Sequence, residues 1–402
     1  MLRFLTAGES HGQALVATLD GMPAGIAIDF DAVNAQLRRR QGGYGRGRRM
    51  AIESDRAEFL SGIRRGITTG APIAVLIRNR DWVNWQQTMH VERDTPVDAS
   101  GITRAAVTRP RPGHADLAGA IKYGHEDIRD VLERASARET AARVAAGSLA
   151  RQLLSRFGIY VASHVTVIGD VALPSDPEVS FDDAQRLDDD APLRCVDPDV
   201  QQRMVGVIDV ARQAGDTVGG AFEVIVTGVP AGLGSYTQWD RKLDGRLAQA
   251  LMCIHAIKAV GIGIGPEVAV RPGSHVHDEI LLPALDAGRL RRPTNRAGGL
   301  EGGVTNGEDL RLSGFMKPIS TLMKPLRSVD LATMSEEPAA IERSDVCAVP
   351  AAAVVAEAMV ALVVADAFLE KFGGDSMTEI ERHYAATEEQ VRRRFGRSRS
   401  TV

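Results

Sequence analysis

Lysine is scarce in this chain of 402 residues: only six of its 48 basic residues are lysine, so arginine carries nearly all of the positive charge. Cysteine is scarcer still, with Cys195, Cys253 and Cys347 far apart and no Cys-x-x-Cys pair. That spacing gives no disulfide framework and fits a reducing cytoplasm. No basic leader followed by a long apolar run stands at the N-terminus, so a signal peptide is not expected. The longest apolar stretch, Pro350 to Leu369, carries Glu357 and Asp366. It is expected to be a buried helix rather than a membrane span. A GxxxxGK[ST] phosphate loop is missing, and GIGIG at 261–265 has the wrong spacing for a dinucleotide turn. These absences count against a phosphate-transferring NTPase and a Rossmann dehydrogenase.

What is present is glycine, 40 residues of it, and enough apolar sequence (44%) for a sizeable core. Short apolar runs broken by glycine predict strands at Leu2 to Leu5, Leu15 to Leu19, Ile73 to Ile77, Tyr160 to Val167, Met204 to Val210 and Phe222 to Val226. Apolar residues three and four apart predict helices at 31–40, 129–157, 240–258 and 351–371. The two kinds of element do not alternate regularly, which points to an α+β fold with antiparallel sheet. The acidic, proline-containing stretch 172–199 is expected to be an exposed insertion, and 388–402, ending RRRFGRSRSTV, a flexible basic tail.

Several segments carry chemistry. GESHGQ, residues 8–13, sets a carboxylate, a hydroxyl and an imidazole among small residues just after the first strand. RRRQGGYGRGRR, Arg38 to Arg49, lets six arginines converge on a mobile backbone. It suits a carboxylate or phosphate site, a polynucleotide backbone, or a plain basic surface loop. A net charge of −4 and a pI near 6.2 argue against a broad nucleic-acid footprint. In RPRPGHADLAG, Arg109 and Arg111 precede His114, which would bring an anion near a group able to exchange protons. HVHDE at 275–279 has metal-ligand residue types without a matching cluster, so no metal is expected. RASARET puts Arg134, Ser136 and Arg138 within the helix predicted at 129–157. Arg134 and Arg138 would then share one face, although an exposed face with an Asp130–Arg134 pair fits equally well.

Nine stretches occur together in one order from Gly8 to Asp375: GESHG, GGYGRGRRM, TRPRPGHAD with KYG, LERASARETAARVAAG, GDTVGGAFEV, KLDGRLAQAL with IHAIKAVGIG, TNRAGGLEGG, MKPIST and RSDVCAVPAAAVVAEAMVALVVADAFLEKFGGD. In this the chain resembles the chorismate synthases over nearly its whole length, as a single domain spanning 1–402. It departs from them after Lys258, where the family usually has Gly, a hydrophobe and Glu and this chain has Ala259, Val260 and Gly261.

The resemblance implies a lyase reaction: the anti-1,4 elimination of phosphate and a ring proton from 5-enolpyruvylshikimate 3-phosphate. The product is chorismate, formed at the last step of the shikimate pathway, with reduced FMN required but not net consumed. It implies His11, His114 and Asp345 as catalytic residues. Substrate would be bound by Ser10, Arg40, Arg46, Arg49, Arg134, Ser136, Arg138 and Arg343, whose cations suit two carboxylates and a phosphate. Flavin contacts are implied at Arg134, Ala135, Ser136, His255, Ala256, Gly302, Lys317, Pro318, Ile319, Ser320, Thr321 and Arg343. A nicotinamide nucleotide is implied only weakly, at Arg40 and Arg46. The implied fold is a sandwich of two antiparallel sheets enclosing helices, assembled as a cytoplasmic homotetramer. NADPH would enter indirectly, through an external flavin reductase, with neither nucleic acid nor membrane as a partner. An Arg/Gly-rich RNA-binding protein and an ordinary flavin oxidoreductase remain as alternatives.

Overall fold

The computed structural model describes residues 1–47, 54–92, 104–175, 178–189, 191–282, 290–341 and 344–395. Two antiparallel sheets dominate it. The first has four strands in the order Arg3–Ala7, Ala14–Asp20, Ile73–Arg78 and Glu58–Phe59. The second has five, in the order Ile257–Ile262, Leu310–Met316, Gly220–Thr227, Tyr160–Ile168 and Val171–Ala172. Alternation decides which face is inward: Leu15, Ala17 and Leu19 are buried on one strand, and Ile73, Val75 and Ile77 on its neighbour.

Two helices fill the space behind these faces. Thr140–Ser155 packs on the first sheet, Val349–Phe372 packs on the second, and the two helices pack on each other. Their close approach needs Gly147, where a Cβ would stand 2.4 Å from the Cβ of Ala358. Val349–Phe372 is long and apolar enough to cross a bilayer, yet most of it is buried inside the fold, as expected for the 350–369 stretch. Its one enclosed charge, Glu357, is ringed by Arg39 at 2.8 Å, Arg151 at 2.5 Å and the Ser163 hydroxyl at 2.6 Å. Asp366, farther along, accepts from Arg246 at 2.5 Å. The cysteines are free, as the spacing suggested.

Several expectations need correction. Met204 to Val210 is no strand but the middle of the helix Pro198–Ala214. Asp197 caps it, Pro198 occupies its first turn, and Gly215 ends it in the left-handed region, while Val200, Met204 and Ile208 form its buried stripe four residues apart. The helix predicted at 129–157 is broken into Arg129–Arg134, a single turn Ala137–Glu139 and Thr140–Ser155, because Ser136 is extended (ψ 139°). Arg134 and Arg138 therefore do not share a helix face. The one predicted at 240–258 covers only Leu243–Met252, since Ala256 turns left-handed (φ 65°) and the chain enters a strand.

Stretch 172–199 is only partly an exposed excursion, with Phe181, Ala184, Leu193, Arg194 and Cys195 buried. Of the expected flexible tail, 388–395 belongs to the helix Met377–Phe395 and the remainder lies outside the described residues. The helix Asp116–Tyr123 and the strand Leu310–Met316 carried no sequence prediction, and the strand Ile257–Ile262 carried none beyond the helix expected to run to residue 258.

Candidate active site

The connection between the first two strands is the GESHG loop. Gly8 has φ 100°, and a Cβ there would stand 2.2 Å from the Ala14 carbonyl oxygen, so only glycine lets the loop turn back over its own strand. Arg134 ties the start of the loop, donating to the backbone oxygens of Thr6 at 3.0 Å and Gly8 at 3.3 Å. Glu133, the preceding residue, is buried and accepts from the His11 backbone N–H at 2.8 Å and from His11 Nδ1 at 2.8 Å. The Ser10 and Ser136 hydroxyls are 3.3 Å apart. The His11 ring stacks on Trp85, centroids 3.8 Å apart and planes 19° from parallel, and the Arg104 guanidinium lies 4.0 Å over that same indole.

Below the loop runs a buried polar network. Asn79 Nδ2 donates to the Glu9 and Gly12 carbonyls, and its Oδ1 accepts from Arg138 at 3.0 and 3.2 Å. Arg138 also reaches Asp55 at 2.6 Å, a carboxylate it shares with Arg40 at 3.5 Å. Arg40 in addition donates to Thr140 Oγ1 and the Ala137 carbonyl. Arg40 and Arg138 thus converge on Asp55, and through Asn79 the network is tied to the backbone of the GESHG loop that carries Ser10 and His11. Arg40 is only 4% exposed and tied to the protein, so it offers little surface to a nicotinamide nucleotide.

A second cluster surrounds His114. Its Nδ1 lies 2.5 Å from Asp116 Oδ1, and Asp116 also accepts from Arg111 Nε at 2.8 Å. Burial pushes the Asp116 carboxyl up, but hydrogen bonds from His114 and Arg111 hold it well below the usual carboxylate range. Arg111, expected to hold an anion, instead braces this pair and donates to Thr321 Oγ1 at 3.1 Å.

The MKPIST segment closes over the same loop. Lys317 Nζ donates to the Gly113 carbonyl, its backbone N–H donates to Ala256 at 3.0 Å, and the Ile319 carbonyl accepts from Thr217. His255, adjoining Ala256, is mostly buried, and its Nδ1 has no hydrogen-bond partner among the described residues. Burial, with the Arg143 cation second, pushes its pKa down to about 4. Glu139 opposes that shift in part.

Asp345 is paired with Arg46 at 2.8 Å and accepts from the Gly47 backbone N–H at 2.6 Å, which joins the arginine-glycine loop to the segment before the last core helix. Arg49 and Arg343 lie outside the described residues. Gly302 stands apart: Leu243, at the opposite end of the Leu243–Met252 helix from His255, donates to the neighbouring Gly303 carbonyl. That helix of ten residues is about 15 Å long.

A family model described as chorismate synthase matches residues 2–369. The chain belongs to the chorismate synthase family. It is 56% identical over 395 residues to the chorismate synthase of Solibacter usitatus, covering 98% of this chain and all of that one. The chorismate synthase of Moorella thermoacetica is 57% identical over 387 residues, covering 96% and 98%. A crystal structure titled as a chorismate synthase superposes with a TM-score of 0.77 at 41% identity, covering 98% of both chains. Membership makes the protein an enzyme, a lyase of the last shikimate-pathway step, acting on a small molecule.

Five residues of this site escaped sequence reasoning: Asn79, Trp85, Asp55, Glu133 and Asp116. The first three come from distant segments with no local signal. Glu133 and Asp116 sit inside motifs already singled out, and the His-x-Asp spacing of PGHAD was signal enough for Asp116.

Proposed function

We propose that this chain eliminates phosphate and a ring proton from 5-enolpyruvylshikimate 3-phosphate in an anti-1,4 sense, with reduced FMN bound and not net consumed. The observation that carries this is the convergence of the Ser10 and Ser136 hydroxyls beside the His11 imidazole on one glycine-turned loop: hydroxyl and imidazole donors brought together suit a departing phosphate. In the reaction the carbon–oxygen bond breaks and its electrons leave with phosphate. His11 meets the growing negative charge by donating from its ring, while Ser10 donates from its hydroxyl. Asp345, beside Arg46, is the acceptor for the ring proton as the carbon–hydrogen bond opens into the new double bond. The substrate carboxylates fall to the remaining arginines, Arg134, Arg46, Arg49 and Arg343.

The unsatisfied, buried Nδ1 of His255 fits a polar cofactor, and Lys317 is tied to the adjoining Ala256 by its backbone N–H. Arg134, Ala135, Ser136, His255, Ala256 and the run Lys317, Pro318, Ile319, Ser320 and Thr321 would hold reduced FMN; Gly302, which stands apart from His255 within this chain, and Arg343, outside the described residues, belong to the set only by family resemblance. The bound flavin supplies electron density to the reacting ring. His114, braced through Nδ1 by Asp116, would offer a proton from Nε2 when its ring is doubly protonated. An external reductase, using NADPH, would supply reduced flavin.

The packing of Thr140–Ser155 and Val349–Phe372 between the two sheets supports the sandwich fold of the family. A homotetramer working in the cytoplasm belongs to this reading as what family membership implies, and exposed Leu5, Tyr236 and Trp239 are apolar surface that such assembly could cover. His11→Ala and His114→Ala are each expected to lower anaerobic turnover by roughly 10²- to 10⁴-fold. Undiminished turnover in both would remove this account of proton handling.

A further inference from the structure

We propose that Glu133 is the positioning residue of His11, fixing its Nδ1–H so that the ring meets the departing phosphate through Nε2; this rests on the elimination proposed above. The Glu133 side chain is fully enclosed, whereas that of His11 is 15% exposed. An enclosed carboxylate is costly unless its oxygens are hydrogen-bonded. Both Glu133 oxygens are spent on one residue. Oε2 accepts from the His11 backbone N–H at 2.8 Å and lies 3.1 Å from Nδ1, while Oε1 lies 2.8 Å from Nδ1. The Glu133 backbone carbonyl adds a third tie, accepting from the Ser10 N–H at 3.0 Å.

The grip therefore holds ring and backbone together. An ionised carboxylate only accepts, so the nitrogen facing it must carry a proton. That sets the neutral tautomer: Nδ1–H is committed to Glu133, and Nε2 offers a proton to a ligand only when the ring carries its second proton, as imidazolium. The ring plane is fixed independently by the stack on Trp85, with Arg104 at 4.0 Å and Arg129 at 5.7 Å over the same indole. Edge and face are thus set by different elements, the pre-organisation that orientation-dependent catalysis needs.

The first test needs no variant. Nitrogen-15 NMR of the ring in the full-length protein, with His11 assigned by loss of its signals in His11→Ala, is expected to show the neutral ring protonated on Nδ1. Protonation on Nε2 would overturn the inference. In Glu133→Gln the amide can donate to Nδ1, and the tautomer is expected to invert. Turnover of that variant should fall roughly 10- to 100-fold. In a His11→Ala background the same change should cost less than about threefold, because the two residues act as one unit. An undiminished loss in that background would assign Glu133 to the fold alone. Glu133→Asp, which keeps the charge with a shorter reach, should recover part of the loss. Wild-type turnover in His11→Ala would overturn both the phosphate role and this inference, whereas a wrong tautomer overturns this one only.

Discussion

Asp116 holds a histidine and an arginine at once: Oδ1 lies 2.5 Å from His114 Nδ1, and Oδ2 lies 2.8 Å from Arg111 Nε. Asp116→Asn keeps the shape but removes the charge, and its amide can donate to Nδ1. Turnover is expected to fall roughly 10- to 100-fold, the scale of losing an imidazole's supporting partner. Steady-state kinetics under anaerobic conditions checks this, and unchanged kcat would show that His114 orients itself.

Glu357 in the core helix ties together Arg39, Arg151 and Ser163. Burial raises its carboxyl, but the charges of Arg39 and Arg151 outweigh that and hold it far below the usual range. A depressed folded pKa stabilises the protein above the unfolded value, about 4.3, and that stabilisation is lost as pH falls toward the folded one. Glu357→Gln leaves buried cations without this partner and should cost about 3 to 5 kcal/mol at neutral pH. Urea unfolding is expected to show that loss and a flatter acid limb for the variant.

His255 gives the same kind of dependence by the opposite route. Its folded pKa of about 4 lies below the ordinary 6.5. Between those values the unfolded chain binds a proton and the folded protein does not, so stability falls as pH drops through that window and is complete above it. The difference is on the order of 3 kcal/mol. His255→Asn should remove most of it in unfolding curves taken at either end of the window.

Gly8→Ala tests the loop itself. A Cβ 2.2 Å from the Ala14 carbonyl, on a backbone at φ 100°, forces the GESHG turn open. The cost is expected to be about 1 to 3 kcal/mol in stability, with a larger effect on turnover because Ser10 and His11 move with the turn.

Five of the six predicted strands were legible in the sequence because alternation survives on sheets with one face buried, as Leu15, Ala17 and Leu19 show. Met204 to Val210 misled because a short apolar run fits either period, and only the Asp197 cap and Gly215 stop settle it as a helix. The strands Ile257–Ile262 and Leu310–Met316 were masked by glycines, Gly261 and Gly314. The latter is required because a Cβ there would stand 2.4 Å from the Phe222 ring. At the site, the motifs exposed the histidines but not what holds them. Trp85 meets His11, and Asp55 meets Arg138, only through tertiary folding, which no local pattern encodes. Arg111 looked like an anion ligand for a different reason: its partner Asp116 is local, five residues on across a turn, and the PGHAD motif that carries it was read for its histidine alone.

The most direct measurement is an anaerobic assay with chemically reduced FMN and 5-enolpyruvylshikimate 3-phosphate, following phosphate release and flavin absorbance together. Phosphate and chorismate are expected to accumulate over many turnovers with the flavin still reduced at the end. Flavin oxidised in step with product, or no phosphate released by folded protein that binds FMN, would contradict the elimination.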